Sequence, residues 1–173
     1  AFDIAGEIAR EWLKQPNPNG KPNSEVVRPW ANGMDITRRP SDKWIVDFGV
    51  NMPESEAALF ELPFQYAQES IKPLRSSKRH LRASSLWWIH ECARPGLRNA
   101  LKNNQRFIAT PRNGKYRLFV WLDASVLPDC QVVAIARDDD ITFGILHSRF
   151  HELWSLQLCT WLGVGNDPRY TPT

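Results

Sequence analysis

The sequence predicts an α+β domain, a mostly antiparallel sheet with helices packed against it. Short runs rich in β-branched and aromatic residues (KWIVDFG, RFIAT, YRLFVWL and QVVAIA) read as strands, each bounded by turn-forming residues. Between and around them apolar residues recur at helical spacing. With 42% apolar residues and eight tryptophans in 173, the chain can bury a sizeable core, and it carries no internal repeat.

In chain order, Phe2, Ile4, Ile8, Trp12 and Leu13 suggest an amphipathic helix already under way at the first residue. Without an initiator Met, residues 1–17 read as a connecting helix from a preceding domain, and the whole as one domain from a larger protein. A loop of breakers, QPNPNGKPN, follows from Gln15 to Asn23. Ser24 then caps a short turn, Glu25 to Val27, that Pro29 stops, and Asn32-Gly33 marks a turn. Lys43 to Gly49 is the first strand. Pro53 suits a first helical position, with Glu54 and Glu56 on the positive end of the dipole. Pro63 kinks that helix or begins another, which runs to Ile71 and ends at Pro73. Leu74 to Ser85 is basic and serine-rich and reads as loop or irregular helix.

Pro95 opens a helix to about Lys102, and strands follow at 106–110, 116–122 and 131–136. In the second strand Leu118, Val120 and Leu122 face one way and Arg117, Phe119 and Trp121 the other. One of Asp138, Asp139 and Asp140 caps a helix from Ile141 to about Leu158. On its wheel Gly144, Ser148, His151 and Ser155 form a small polar stripe. Ile145, Leu146, Phe150, Leu153 and Leu156 lie opposite, which predicts a core helix with one polar face. Residues 165–173 read as loop.

The net charge of +3 conceals an uneven layout. From Lys72 to Arg117 there are twelve Lys or Arg against one acid, Glu91; that block is formally +11 and the rest of the chain −8. Such a block, with aromatics interleaved, points to a polyanion such as nucleic acid, because neutralising phosphates releases counterions. No run approaches the length of a membrane span and no signal peptide opens the chain. Cys92, Cys130 and Cys159 are widely spaced and form no CxxC pair, which fits reduced cytosolic thiols.

Several motifs can carry chemistry. His147 and His151, at i and i+4, have the spacing for two metal-binding imidazoles, but no third ligand accompanies them; beside DNA they would donate to phosphate. The run Asp138 to Asp140 is the wrong setting for a magnesium nuclease, since the preceding strand offers only apolar residues, and it suits a helix cap. Trp87 and Trp88 can stack on bases or pack in a core. In TPRNGKYR (110–117), Asn113-Gly114 predicts a two-residue hairpin turn projecting Arg112, Asn113 and Lys115, with Arg117 behind. Arg and Lys can reach guanine O6 and N7 and Asn can pair with adenine, so the tip is either a base reader or a solvated basic turn. Neither the glycine-rich cofactor turn nor the Asn/Asp-Pro-Pro-Tyr/Phe loop of an amino-methyltransferase is present; Asn166-Asp167-Pro168-Arg169-Tyr170 lacks the second proline. No metal, cofactor or catalytic site is therefore assigned.

Three stretches carry a resemblance. They are PNGKPNSEVVRPWANGMDITRRPSDKWIVDFG at 18–49, RFIATPRNGKYRLFVWLDASVLPD at 106–129 and DDDITFGILHSRFHELWSLQLCTWLGVGNDPRYTPT at 138–173. Together they resemble the target-recognition region of MmeI-like adenine-specific DNA methyltransferases, the type IIL/IIG restriction–modification enzymes. The resemblance implies a recognition domain that reads a short duplex sequence. An N6-adenine methyltransferase domain of the same parent chain would bind S-adenosylmethionine and flip the base, in a bacterial or archaeal cytoplasm. The expected DNA-facing residues are Arg75, Lys78, Arg79, Arg82, Arg106, Arg112, Asn113, Lys115, Arg117, His147 and His151. The competing reading is a non-catalytic protein-docking module within a multidomain enzyme, using Trp87, Trp88 and the small face of the 141–158 helix.

Overall fold

Alternating burial at the start of the chain is the mark of a strand. Ile4 is buried between a half-buried Asp3 and an exposed Ala5, and Asp3–Ala5 (β1) pairs antiparallel with Lys43–Val46 (β3), Asp3 opposite Ile45. The predicted opening helix therefore begins later, at Gly6–Trp12 (α1), because Phe2 and Ile4 are drawn into the core beside a sheet. A computed structural model describes residues 2–76, 85–161 and 167–170 of the chain. Helices and mostly antiparallel sheets make it an α+β fold. The chain divides into two compact units, Ala1–Trp30 with Asp42–Pro95 and Ala31–Ser41 with Gly96–Thr173.

In the first unit β3 is flanked by β1 and by Val27–Ala31 (β2), whose last residue belongs to the second unit; Val27 lies opposite Val46. Pro29 does not stop a helix here, because the predicted turn lies two residues earlier, as a 3-10 turn at Asn23–Glu25, and Pro29 sits within β2. Pro53 is an N-cap to Glu54–Ala57 (α3), and Pro63 occupies the first turn of Glu61–Tyr66 (α4), where its missing N–H costs no hydrogen bond. Pro73 does not end the helix. A π-helical stretch, Ala67–Ile71, widens the backbone just ahead of it, and Lys72–Ser76 (α5) continues through the proline. Phe48, Phe60, Ala67 and Ile71 are buried, and so are Trp87 and Trp88, which meet edge to face at 5.7 Å. The Trp88 indole N–H donates to the Met52 carbonyl at 2.8 Å. Both tryptophans are core residues, unavailable for stacking on bases or for docking.

The second unit is built on a three-stranded antiparallel sheet. Arg106–Pro111 (β4) is central, with Val120–Asp123 (β5) on one side and Val132–Ile135 (β7) on the other. The short Leu127–Pro128 (β6) lies between β5 and β7 in sequence. Phe107, Ala109 and Val132 form the buried centre, against which Val120, Leu122, Leu101 and Ile36 pack. The predicted alternation thus holds where β5 exists, with Phe119 and Trp121 on the opposite side. Leu101 comes from Pro95–Leu101 (α6) and Ile36 from Gly33–Thr37 (α2). Asn32-Gly33 is a helix start, with Asn32 and Asp35 forming a capping box. A Cβ at Gly33 would lie 3.4 Å from the Gln131 carbonyl, so the absence of a side chain lets α2 lie close.

The predicted helix 141–158 is two helices, Asp140–Leu146 (α7) and Arg149–Leu158 (α8), separated by His147 and Ser148. Asp139 caps the first, accepting from Thr142 N–H at 2.7 Å and Thr142 Oγ1 at 2.9 Å, and Ser148 caps the second. A hydroxyl residue that accepts from His151 N–H competes with continuation of the helix, which explains the break. Past α8, Thr160–Trp161 (β8) pairs with Pro168–Arg169 (β9), where the sequence suggested only loop.

Candidate nucleic-acid interface

The segment Arg112 to Phe119 joins β4 to β5. A two-residue type I′ hairpin needs φ above zero at both central residues. Neither Asn113 nor Gly114 has it, since the described residues with positive φ are Gly20, Asp42, Gly49 and Arg94. The register agrees, because Ala109 opposes Val120, leaving the ten residues between them outside the β4–β5 ladder. The Asn-Gly hairpin is therefore corrected to a longer loop.

That loop is instead strapped by the chain near residue 170. Asn113 bridges Arg169, Tyr170 N–H donates to the Arg112 carbonyl at 2.8 Å, and Gly114 N–H donates to the Pro168 carbonyl at 3.4 Å. At the other edge Arg112 N–H donates to the Gln131 carbonyl at 2.7 Å. These bonds hold the main chain and leave side chains free to project. Lys115 and Tyr116 are exposed, Tyr116 at 72%, with the Lys115 ammonium 5.5 Å from its ring. Arg112 and Asn113 are half-buried.

Arg117 turns the other way. Its Nε–H donates to Ser155 Oγ at 3.2 Å and its Nη1 to the Pro168 carbonyl at 3.3 Å, while the guanidinium sits 5.5 Å from the Tyr170 ring. It locks the loop to α8 and β9 and does not stand behind a projecting tip. Beneath it Phe119 is buried among His147, His151 and Tyr170, with ring centroids 5.5–5.6 Å away. His151 Nδ1–H donates to the Leu146 carbonyl at 2.8 Å, which leaves Nε2 to accept from the Tyr170 hydroxyl at 3.3 Å. Burial raises the Tyr170 pKa, and the Arg117 charge pulls against that rise. His147 Nδ1 donates to the Phe143 carbonyl at 3.1 Å, with its ring against Phe143. The helix break ends the i, i+4 relation of the two imidazoles, and each is engaged with its own surroundings. Among the described residues no group of three or more His, Cys, Asp or Glu is placed to hold a metal ion.

Arg106, at the start of β4, lies 3.9 Å over the Trp121 ring and donates to Asp140 at 2.8 Å and to the Asp138 carbonyl. Its side chain is 40% exposed, so its charge is paired but still faces solvent. Arg75 belongs to the other unit and is 9% exposed. Its Nη1 donates to the carbonyls of Leu86, Trp87 and Ile89, with the Phe2 ring 5.0 Å from the guanidinium. Burial pushes its pKa down. It is an internal strut and is withdrawn from the phosphate-facing set. Lys78, Arg79 and Arg82 lie outside the described residues.

Two cations escaped the sequence reading. Arg38 and Arg39 follow α2, which packs on β4, so the fold adds two exposed guanidinium-bearing residues to the unit that holds Arg112 and Lys115. They lie far outside the 72–117 charge block, and only a pairing of Asn32-Gly33 with the capping residue Asp35 could have announced their helix. On α8 the polar stripe of the 141–158 wheel turns inward at His151 and Ser155, while Gly144 on α7 is exposed. Ser155 is buried, whereas Ile145, Phe150 and Leu153 are 59%, 87% and 51% exposed. The α8 part of the small face is thus unavailable to a docking partner.

Among the described residues no helix is long and apolar enough to cross a membrane. No described protein family matches the chain, and no curated protein does. Among solved structures the chain is similar to the type IIL restriction–modification enzyme MmeI in complex with DNA, with a TM-score of 0.65 at 14% identity. That likeness covers 98% of this chain and 22% of the enzyme, so the chain shares the fold of about a fifth of MmeI.

Proposed function

We propose that the chain is a double-stranded DNA recognition module of a restriction–modification enzyme that methylates adenine. The observation that carries this reading is the likeness in fold, over 98% of the chain, to part of an enzyme solved on DNA. The loop 112–117 supports it. Its main chain is tied on both sides while Arg112 and Lys115 remain available and the Asn113 side-chain oxygen is buried, the arrangement suited to groups that must reach a groove without losing register. Arg38 and Arg39 join them as phosphate contacts, with Arg106 at the periphery. Arg117, His147 and His151 shape the platform beneath the loop. A methyltransferase domain of the same parent chain would be the covalent partner and would hold S-adenosylmethionine.

The test is a titration of the chain onto random duplex DNA between about 50 and 200 mM salt, where proteins that neutralise several phosphates weaken by orders of magnitude. The double variant Arg38→Ala/Arg39→Ala should lower the salt slope by roughly 1 for each phosphate no longer neutralised. In the parent enzyme, Arg112→Ala and Lys115→Ala should change which sequence is methylated. Binding that is absent at low salt, or insensitive to salt, overturns the proposal.

A further inference from the structure

The helices that follow the loop carry an apolar face that no other described residue covers. On α8, Phe150, Leu153, Trp154 and Leu158 fall at i, i+3, i+4 and i+8, one continuous stripe, and they are 87%, 51%, 61% and 63% exposed. On α7, Ile141 and Ile145 stand one turn apart at 77% and 59% exposure. A soluble helix ordinarily turns its apolar stripe inward. Here Arg117 and Tyr170 hold Ser155 and His151 inward, so the stripe is forced out.

We propose that this α7–α8 face is a homodimer interface, covered by the same face of a second copy of this chain. Area is the first argument. At about 200 Å² per aromatic side chain and about 100 Å² per aliphatic one, the six residues expose roughly 550 Å² of apolar surface. That is the top of the range for the largest patch on a monomer. It is also what a standard dimer needs, since about 800 Å² per partner at roughly 60% apolar is close to 500 Å².

Charge is the second argument. On α7 and α8 the charged residues are Asp140, which pairs with Arg106 at 2.8 Å, and Glu152 and Arg149, which pair with each other at 2.5 Å. A face with no unpaired formal charge meets its own copy without repulsion, as an isologous two-fold contact requires. The same neutrality argues against nucleic acid, which wants cations. It argues equally against an anionic lipid surface, which draws membrane-lying helices through their Lys and Arg.

Sedimentation equilibrium of the chain tests this, from about 1 to 100 μM, the range over which a μM dimer assembles. The expected result is a monomer–dimer equilibrium. Phe150→Ser/Trp154→Ser should shift it at least tenfold toward monomer with an unchanged far-ultraviolet spectrum. Leu74→Ser, an equally exposed apolar site in the other unit (61%), should leave it unmoved. Wild-type protein that stays monomeric at the top concentration overturns the proposal and assigns the face to another domain of the parent chain or to a different protein. So does open-ended aggregation, or a dimer that survives the double variant. The wild-type dilution series decides the matter even if the double variant fails to fold.

Discussion

Replacing Arg75 by alanine separates a buried strut from a phosphate contact. In the structure Nη1 donates to three main-chain carbonyls, those of Leu86, Trp87 and Ile89, and so fixes the segment carrying the two core tryptophans against α5. Alanine would strand those carbonyls in a buried setting. A hydrogen bond to a charged group contributes about 1.5–3 kcal/mol net, and the stacking on Phe2 adds about 1 kcal/mol. Relief of the guanidinium's desolvation offsets part of this, consistent with its lowered pKa. A net loss of about 3 kcal/mol follows. For a unit of this size that is a fall in Tm of roughly 12–24 °C, followed by circular dichroism and tryptophan fluorescence. Arg75→Met, which retains the apolar stem, should recover part of it. Duplex affinity of the folded variant at low temperature should be unchanged. A Tm within about 2 °C of wild type, together with weakened DNA binding, would show that Arg75 faces phosphates and that the strut reasoning fails.

Two other substitutions probe the platform under the loop. Ser155→Ala removes the acceptor of Arg117 Nε–H and should destabilise the second unit by about 1–3 kcal/mol in urea melts, whereas Ser155→Thr, which keeps the hydroxyl, should lose less. Asp139 has its pKa lowered from 3.8, chiefly by the Thr142 backbone N–H and then by the Thr142 hydroxyl. A carboxylate depressed on folding stabilises above its unfolded pKa and loses that contribution as pH falls through the folded value. Acidification below 3.8 should therefore fray α7, seen as a loss of helical signal. Asp139→Asn caps without ionising and should remove that part of the acid transition.

Much of the scaffold was legible in the sequence because it rests on local physics. β4 and β7 are runs of β-branched and apolar residues, α6 starts at a proline, and an aspartate from the 138–140 run caps α7. What escaped depends on partners far along the chain. The Asn113-Gly114 pair looks like a hairpin until residues 168–170 arrive and tie down the main chain. The wheel of 141–158 separates small polar from large apolar residues correctly. Which side faces inward is decided by Arg117, thirty-eight residues from Ser155, and no periodicity carries that information. Arg75 misleads for a related reason. A basic run looks solvated, and only the fold reveals three carbonyls waiting for one guanidinium.

The strap between the loop and residues 168–170 has a consequence for sequence tolerance. It is made of main-chain groups: an amide at 170 to a carbonyl at 112, an amide at 114 to a carbonyl at 168. The Asn113 side-chain carbonyl takes no part, being buried without a hydrogen-bond partner among the described residues. Residues 112, 113 and 115 can therefore be exchanged without cutting the ties that hold them, while Arg117 next door cannot. The loop is in effect a cassette: its frame is written in backbone, and its content can be rewritten one side chain at a time.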